Sequence, residues 1–225
     1  MFHVKHFVFI ALCFPIISFA QISGSTQLPD KDLPVFPMND IVVNEFNKQF
    51  PEIKMMPLVK QQWFYWTNYS RTNPRRFYDS IVSPILRFFP SLNKSYATSL
   101  KQDLYKIQTL PMVKPGKSLE QIAQSFANEM ADKNASPSHT SPSGVSFQSR
   151  MESIGIKYCA GENLSYGPSN TMLMLILLYL DEGVPGLGHR KSMLDPMFTD
   201  MGIGYADYSD RKHIVVQDFS CDQNR

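Results

Sequence analysis

From Thr171 to Leu180 the chain reads Thr-Met-Leu-Met-Leu-Ile-Leu-Leu-Tyr-Leu, apolar on every side of a helix. A helix of that length reaches about 15 Å, half of the about 30 Å of a bilayer core. It must therefore be wrapped by the rest of the protein, which demands a layered fold with neighbours on several sides. The strand signals come late. Met201 to Ala206 and His213 to Ser220 carry β-branched and aromatic residues around the polar turn Asp207 to Lys212, which predicts an antiparallel hairpin. Helices first and strands last imply an α+β protein, a three-layer αβα sandwich around a mainly antiparallel sheet, rather than a doubly wound sheet.

The earlier helices are legible from spacing. Leu119, Ile122, Ala123, Phe126, Ala127 and Met130 trace one helical face, with Ser118 and Gln121 predicting a capping box at its start. Tyr96, Leu100, Leu104 and Ile107 make another stripe. The aromatics of Gln61 to Arg71 (Trp63, Phe64, Tyr65, Trp66, Tyr69) read as core at helical spacing. Asn73-Pro74 predicts an N-cap with proline at the first helical position, and Pro84 a stop or kink near Val82. Val42, Phe46 and Phe50 predict a short amphipathic helix after a proline-punctuated leader. Phe147, Arg150, Met151 and Ile154 predict another, ended by Gly155. Between the helices, Asn134 to Gly144 is rich in Ser and Pro and is a loop, with His139 in its middle.

The N-terminus points to export. Lys5 and His6 precede the apolar run Phe7 to Phe19, and Ser18-Phe19-Ala20 supplies the small residues of a cleavage site. The run is shorter than the about 20 residues of a spanning helix, so residues 1–20 are expected to be a signal peptide and the mature chain to begin at Gln21. Cys13 lies inside that run, preceded by Leu12 where a lipoprotein signal has a small residue. Cys159 and Cys221 remain. In an oxidising compartment they are expected to pair; the alternative makes Cys159 a nucleophile near Glu162. A net charge of +2 with scattered Lys and Arg gives no footprint for nucleic acid. The expected organisation is a signal peptide (1–20), an N-terminal extension (21–60) and one domain (61–225).

Four short signatures follow the His139 loop in order. They are Gly161-Glu162-Asn163-Leu164, Gly188-His189-Arg190, Gly202-Ile203-Gly204 and Val216-Gln217-Asp218-Phe219. Together they resemble the CAP superfamily: cysteine-rich secretory proteins, antigen-5-like allergens, plant pathogenesis-related proteins and secreted bacterial relatives. The resemblance runs from about Trp66 to Cys221 and leaves 84–110 as an insertion. Gly188-His189-Arg190-Lys191-Ser192-Met193-Leu194 is similar to the bacterial branch. The resemblance implies the αβα sandwich and a cleft lined by two histidines and two acids. Those roles fall on His139, Glu162 and His189; the second acid is Glu182 or Asp181, with Glu182 favoured.

Other roles are bland by comparison. Arg190 is expected to pair with a carboxylate and hold its loop, Asn163 to satisfy backbone groups after Glu162, and His213 to have no functional partner. The paired imidazoles His139 and His189 are candidate ligands for a divalent metal such as zinc. No serine or threonine sits in a nucleophile motif. Two functions stay open. One is a secreted or periplasmic binding module for a small molecule, glycan, peptide or protein, with no transmembrane segment in the mature chain. The other is a metal-assisted extracytoplasmic hydrolase acting on peptide or cell-envelope material.

Overall fold

The computed structural model describes residue 28 and residues 33–223, apart from 93, 168, 169 and 209–211. The expected signal peptide lies outside the described residues.

Three helices open the described chain: α1 (Ile41–Lys48), α2 (Pro51–Met55) and the long α3 (Leu58–Thr72). Val43, not Val42, is the buried residue of α1; Val42 faces solvent. In α3 the aromatic run is core, with Trp63, Phe64, Tyr65 and Trp66 all buried.

The next segment corrects an expectation. Helix α4 (Pro74–Phe77) is followed by a π-helical turn at Tyr78–Val82 and then by α5 (Ser83–Phe88). Pro84 does not stop the helix, which changes its winding just before it. The widened turn ends just before Pro84, which enters α5 at its start, where a missing N–H costs little. Asn73 does not cap with its side chain, which donates instead to Thr72 Oγ1.

Helix α6 (Ser95–Lys106) buries Ala97, Leu100 and Leu104 against the core, so the 84–110 segment packs into the domain. The short strand β1 (Lys114–Pro115) leads into α7 (Lys117–Asp132). The expected capping box is absent there. Gly116 is the cap residue, so Ser118 already lies inside the first turn. The buried face of α7 is otherwise the expected one: Leu119, Ala123, Phe126, Ala127 and Met130.

Then come α8 (Phe147–Ser153), β2 (Ala160–Gly167), α9 (Thr171–Leu180), α10 (Gly188–Met193), β3 (Asp200–Asp207) and β4 (His213–Ser220). The sheet order is β1-β3-β4-β2, with β3, β4 and β2 antiparallel and β1 parallel to β3. The expected hairpin is β3–β4, and α9 is buried along its length except for half-buried Leu177.

Residues opposite one another across a sheet share a face. On one face Gly202 and Gly204 of β3 let α7 approach closely. A Cβ on Gly202 would overlap the Leu119 backbone, and one on Gly204 the Ala123 carbonyl. On the other face Met201, Ile203, Val215 and Phe219 join one core with residues of α3, α6 and α9. The result is a three-layer αβα sandwich of α+β class.

Candidate functional site

Strand β2 is an edge of the described sheet, and consecutive side chains on it point to opposite faces. Glu162, buried on the α7 face, accepts from His139 Nδ1 at 2.7 Å on one carboxylate oxygen and from Arg150 Nη2 at 2.5 Å on the other. Asn163 points the other way. Its amide donates to the backbone carbonyl of His189 at 3.3 Å and to Gln217 Oε1 at 3.0 Å. It thus ties β2 to α10 rather than serving a local turn, as the sequence suggested. The His139 loop and α10 therefore meet β2 from its two faces.

Arg150 organises the His139 side. Its guanidinium lies 3.6 Å from the centre of the Phe126 ring and donates to the carbonyls of His139 and Val145, both at 3.1 Å, besides Glu162. The Ser- and Pro-rich loop is thereby pinned at the histidine itself. Sequence reasoning passed over Arg150. The available signal is a cation at one of the inward positions of a short helix (Phe147, Arg150, Met151), where burial requires a carboxylate partner.

The second histidine has its own carboxylate. His189 Nδ1 lies 2.6 Å from Asp181 Oδ1, and Asp181 Oδ2 accepts from the backbone N–H of Arg190 at 3.2 Å. The expectation of Glu182 is corrected. The chain leaves α9 with Asp181 in the left-handed region, φ 57° and ψ 36°, which folds its carboxylate inward beneath α10. Glu182 falls on the outer side of that turn and pairs with Lys94 at 2.7 Å.

Arg190 is structural, as its position suggests. It donates to Asp103 Oδ2 at 2.9 Å, to Ser99 Oγ, and to the carbonyls of Tyr96, Tyr179 and Leu180. Cys159 and Cys221 form a disulfide with Cα atoms 5.7 Å apart, which removes Cys159 as a candidate nucleophile. His213, for which the sequence suggests no partner, lies 2.6 Å from Asp207 Oδ1 and 2.5 Å from the Tyr205 hydroxyl. It belongs to the β3–β4 hairpin.

The two histidines share one electrostatic design. A carboxylate only accepts, so each Nδ1 carries a proton, and Nε2 is the atom at which either ring, when neutral, presents a lone pair. His139 Nε2 and His189 Nε2 are buried and have no hydrogen-bond partner among the described residues. A carboxylate behind Nδ1 with Nε2 left free is how protein imidazoles are prepared as metal ligands. The donor set fits two nitrogen ligands. No group of three or more His, Cys, Asp or Glu among the described residues is placed to hold an ion, so a metal would complete its shell with water or ligand atoms.

The family model of the cysteine-rich secretory protein (CAP) family matches residues 69–219. The chain belongs to this family. Within its CAP domain lie the His139 loop, β2, α9, α10 and the β3–β4 hairpin. The YkwD protein of Bacillus subtilis strain 168 is 34% identical over 101 residues, 44% of this chain and 37% of that protein. The chain thus spans little more than a third of that relative's length.

Among solved structures, an extracellular SCP-domain protein of Bacillus anthracis shares 25% identity at a TM-score of 0.40. The likeness covers 50% of this chain and 35% of that one. An outer surface protein of Borrelia burgdorferi is 17% identical at a TM-score of 0.43, over 57% of this chain and 90% of its own. A cysteine-rich secretory protein of Staphylococcus aureus is also 17% identical, at a TM-score of 0.37, over 59% of this chain and 39% of its own. No helix among the described residues is long and apolar enough to cross a membrane.

Proposed function

We propose that this CAP domain is an exported binding module, and that its cleft takes a divalent cation such as zinc through His139 Nε2 and His189 Nε2, with a ligand or partner completing the coordination. The observation that carries this reading is the matched pair of buried imidazoles, each fixed at Nδ1 by its own carboxylate and unpartnered at Nε2. Export is supported by the charged, apolar and small-residue pattern of residues 1–20, by the Cys159–Cys221 disulfide and by membership of a secretory family.

Binding is favoured over metal-assisted hydrolysis by the occupation of Glu162. A general base must reach the water it deprotonates, and both Glu162 oxygens are already engaged, by His139 and Arg150. The other cleft acid, Asp181, is likewise taken up by His189 and the Arg190 amide.

Calorimetric titration with Zn²⁺ at pH 7.5 and 5.5 tests the proposal. Binding at pH 7.5 should weaken sharply at pH 5.5, because protonated imidazole cannot ligate and its ordinary titration lies near about 6.5. The His139→Ala, His189→Ala double variant should not bind. Equal binding by the double variant would overturn the assignment.

A further inference from the structure

Asp218 is a buried acid that the cleft described so far does not use. It lies in the middle of β4, fully inaccessible, and is the direct cross-strand partner of Glu162 on one side and of Gly202 on the other. All three positions share the α7 face of the sheet. Neither carboxylate oxygen of Asp218 meets a donor among the described residues.

A buried carboxylate without donors or a cation of its own is among the costliest arrangements a fold can hold, and such groups normally take up a proton instead. The surrounding charges point the same way. From β2 comes the Glu162 carboxylate, and from α8 the Arg150 guanidinium, which Glu162 already holds at 2.5 Å. His139 reaches Glu162 from the loop through a proton on Nδ1. The β3 neighbour is Gly202, with no side chain. Glu120 on α7 pairs with Lys60 at 3.0 Å, and Asp200, farther along β3, with Lys114 at 3.7 Å. One cation thus faces two buried acids, and a single retained proton balances the cluster.

We propose that Asp218 is a positioning residue of the cleft. It is a neutral carboxylic acid whose O–H is donated to Glu162, so that Glu162 is held by Arg150, His139 and Asp218 together. Burial first, and then the charge of Glu162, push the Asp218 carboxyl well above the ordinary carboxylate range; Arg150 opposes this only in part. The role of the proton is geometric. Glu162 sits on an edge strand, and a donor beneath it fixes the carboxylate plane that in turn orients the His139 ring. The inference concerns the metal-free protein and does not depend on what the cleft binds.

Two measurements on the metal-free chain decide it. Infrared difference spectra between the wild type and Asp218→Asn at pH 7 should show the carbonyl stretch of a protonated carboxyl in the wild type alone. Folding equilibria should diverge with pH. The folded protein keeps a proton on Asp218 that the unfolded chain releases at about 3.9, so wild-type stability falls as pH rises above that value. Asp218→Asn keeps a donor and does not titrate. The wild-type folding constant relative to Asp218→Asn should therefore fall by up to tenfold per pH unit above about 4. Absence of the protonated band, or parallel stability curves for the two proteins, would overturn the proposal.

The positioning role has its own readout, the downfield, slowly exchanging Nδ1 proton of His139 in NMR spectra. It should persist in Asp218→Asn and broaden or vanish in Asp218→Val, which has no donor. Its persistence in a folded Asp218→Val protein would sink the positioning role, and the infrared and pH arms decide the protonation without that variant.

Discussion

Arg190 and Asp103 are 87 positions apart in sequence and 2.9 Å apart in space. The contact anchors α6, a helix outside the motifs that mark the family, to the helix that carries His189. The guanidinium is almost fully buried, while Asp103 is 42% exposed at its side chain. Their substitutions should therefore differ. Arg190→Ala strands three backbone carbonyls and should cost about 3 kcal/mol or more. Asp103→Ala removes one partly solvated partner and should cost about 1 kcal/mol or less. Urea unfolding of the two variants measures both; equal costs would contradict this picture of the anchor.

Asp181 and Glu182 are adjacent acids with opposite fates. Asp181 is fully buried and accepts from His189 and from the Arg190 amide. Asp181→Ala should destabilise the fold by about 2–3 kcal/mol and release the His189 ring. Glu182→Ala breaks only a surface contact with Lys94 and should stay within about 0.5 kcal/mol of the wild type. Zinc calorimetry on both variants gives the functional counterpart: loss or strong weakening for the first, no change for the second.

Gly204 is predicted to be intolerant of even one methyl group. An alanine Cβ there would overlap the Ala123 carbonyl of α7, a rigid backbone atom that cannot step aside. Gly204→Ala should cost about 1–3 kcal/mol by overpacking, read as a lowered urea midpoint at an unchanged slope. A neutral result would mean that α7 slides on the sheet more readily than its packing implies.

The Cys159–Cys221 bridge closes a separation of 62 residues and joins the start of β2 to the end of β4. In the chain-entropy model such a closure contributes about 4 kcal/mol. Cys159→Ser, Cys221→Ser protein should unfold at a correspondingly lower urea concentration, and non-reduced peptide mapping of the wild type should recover the two cysteines in one linked species. Recovery of both as free thiols would rule the bridge out.

The sequence by itself determined the layers and most of their contents. The buried helix α9, the apolar face of α7, the aromatic core of α3 and the β3–β4 hairpin all follow from periodicity. Burial of a repeating face is a local demand that each segment states for itself. The family resemblance singled out His139, Glu162 and His189, and the structure pairs His139 with Glu162 but gives His189 a carboxylate of its own. What tertiary structure alone decided was which charges meet. Asp181 and Glu182 are indistinguishable in sequence, and a single left-handed residue at the end of α9 separates them. Arg150 lies in no signature and the signature that holds Asp218 gave it no role, yet both stand beside Glu162, one by helix packing and one by cross-strand register. Pro84 behaved unlike an isolated proline because the preceding turn widened to admit it. Hydrophobic patterning is additive along a chain and so can be read from it. The pairing of buried charges depends on distances of a few ångströms between segments far apart in sequence, and only the completed packing sets those.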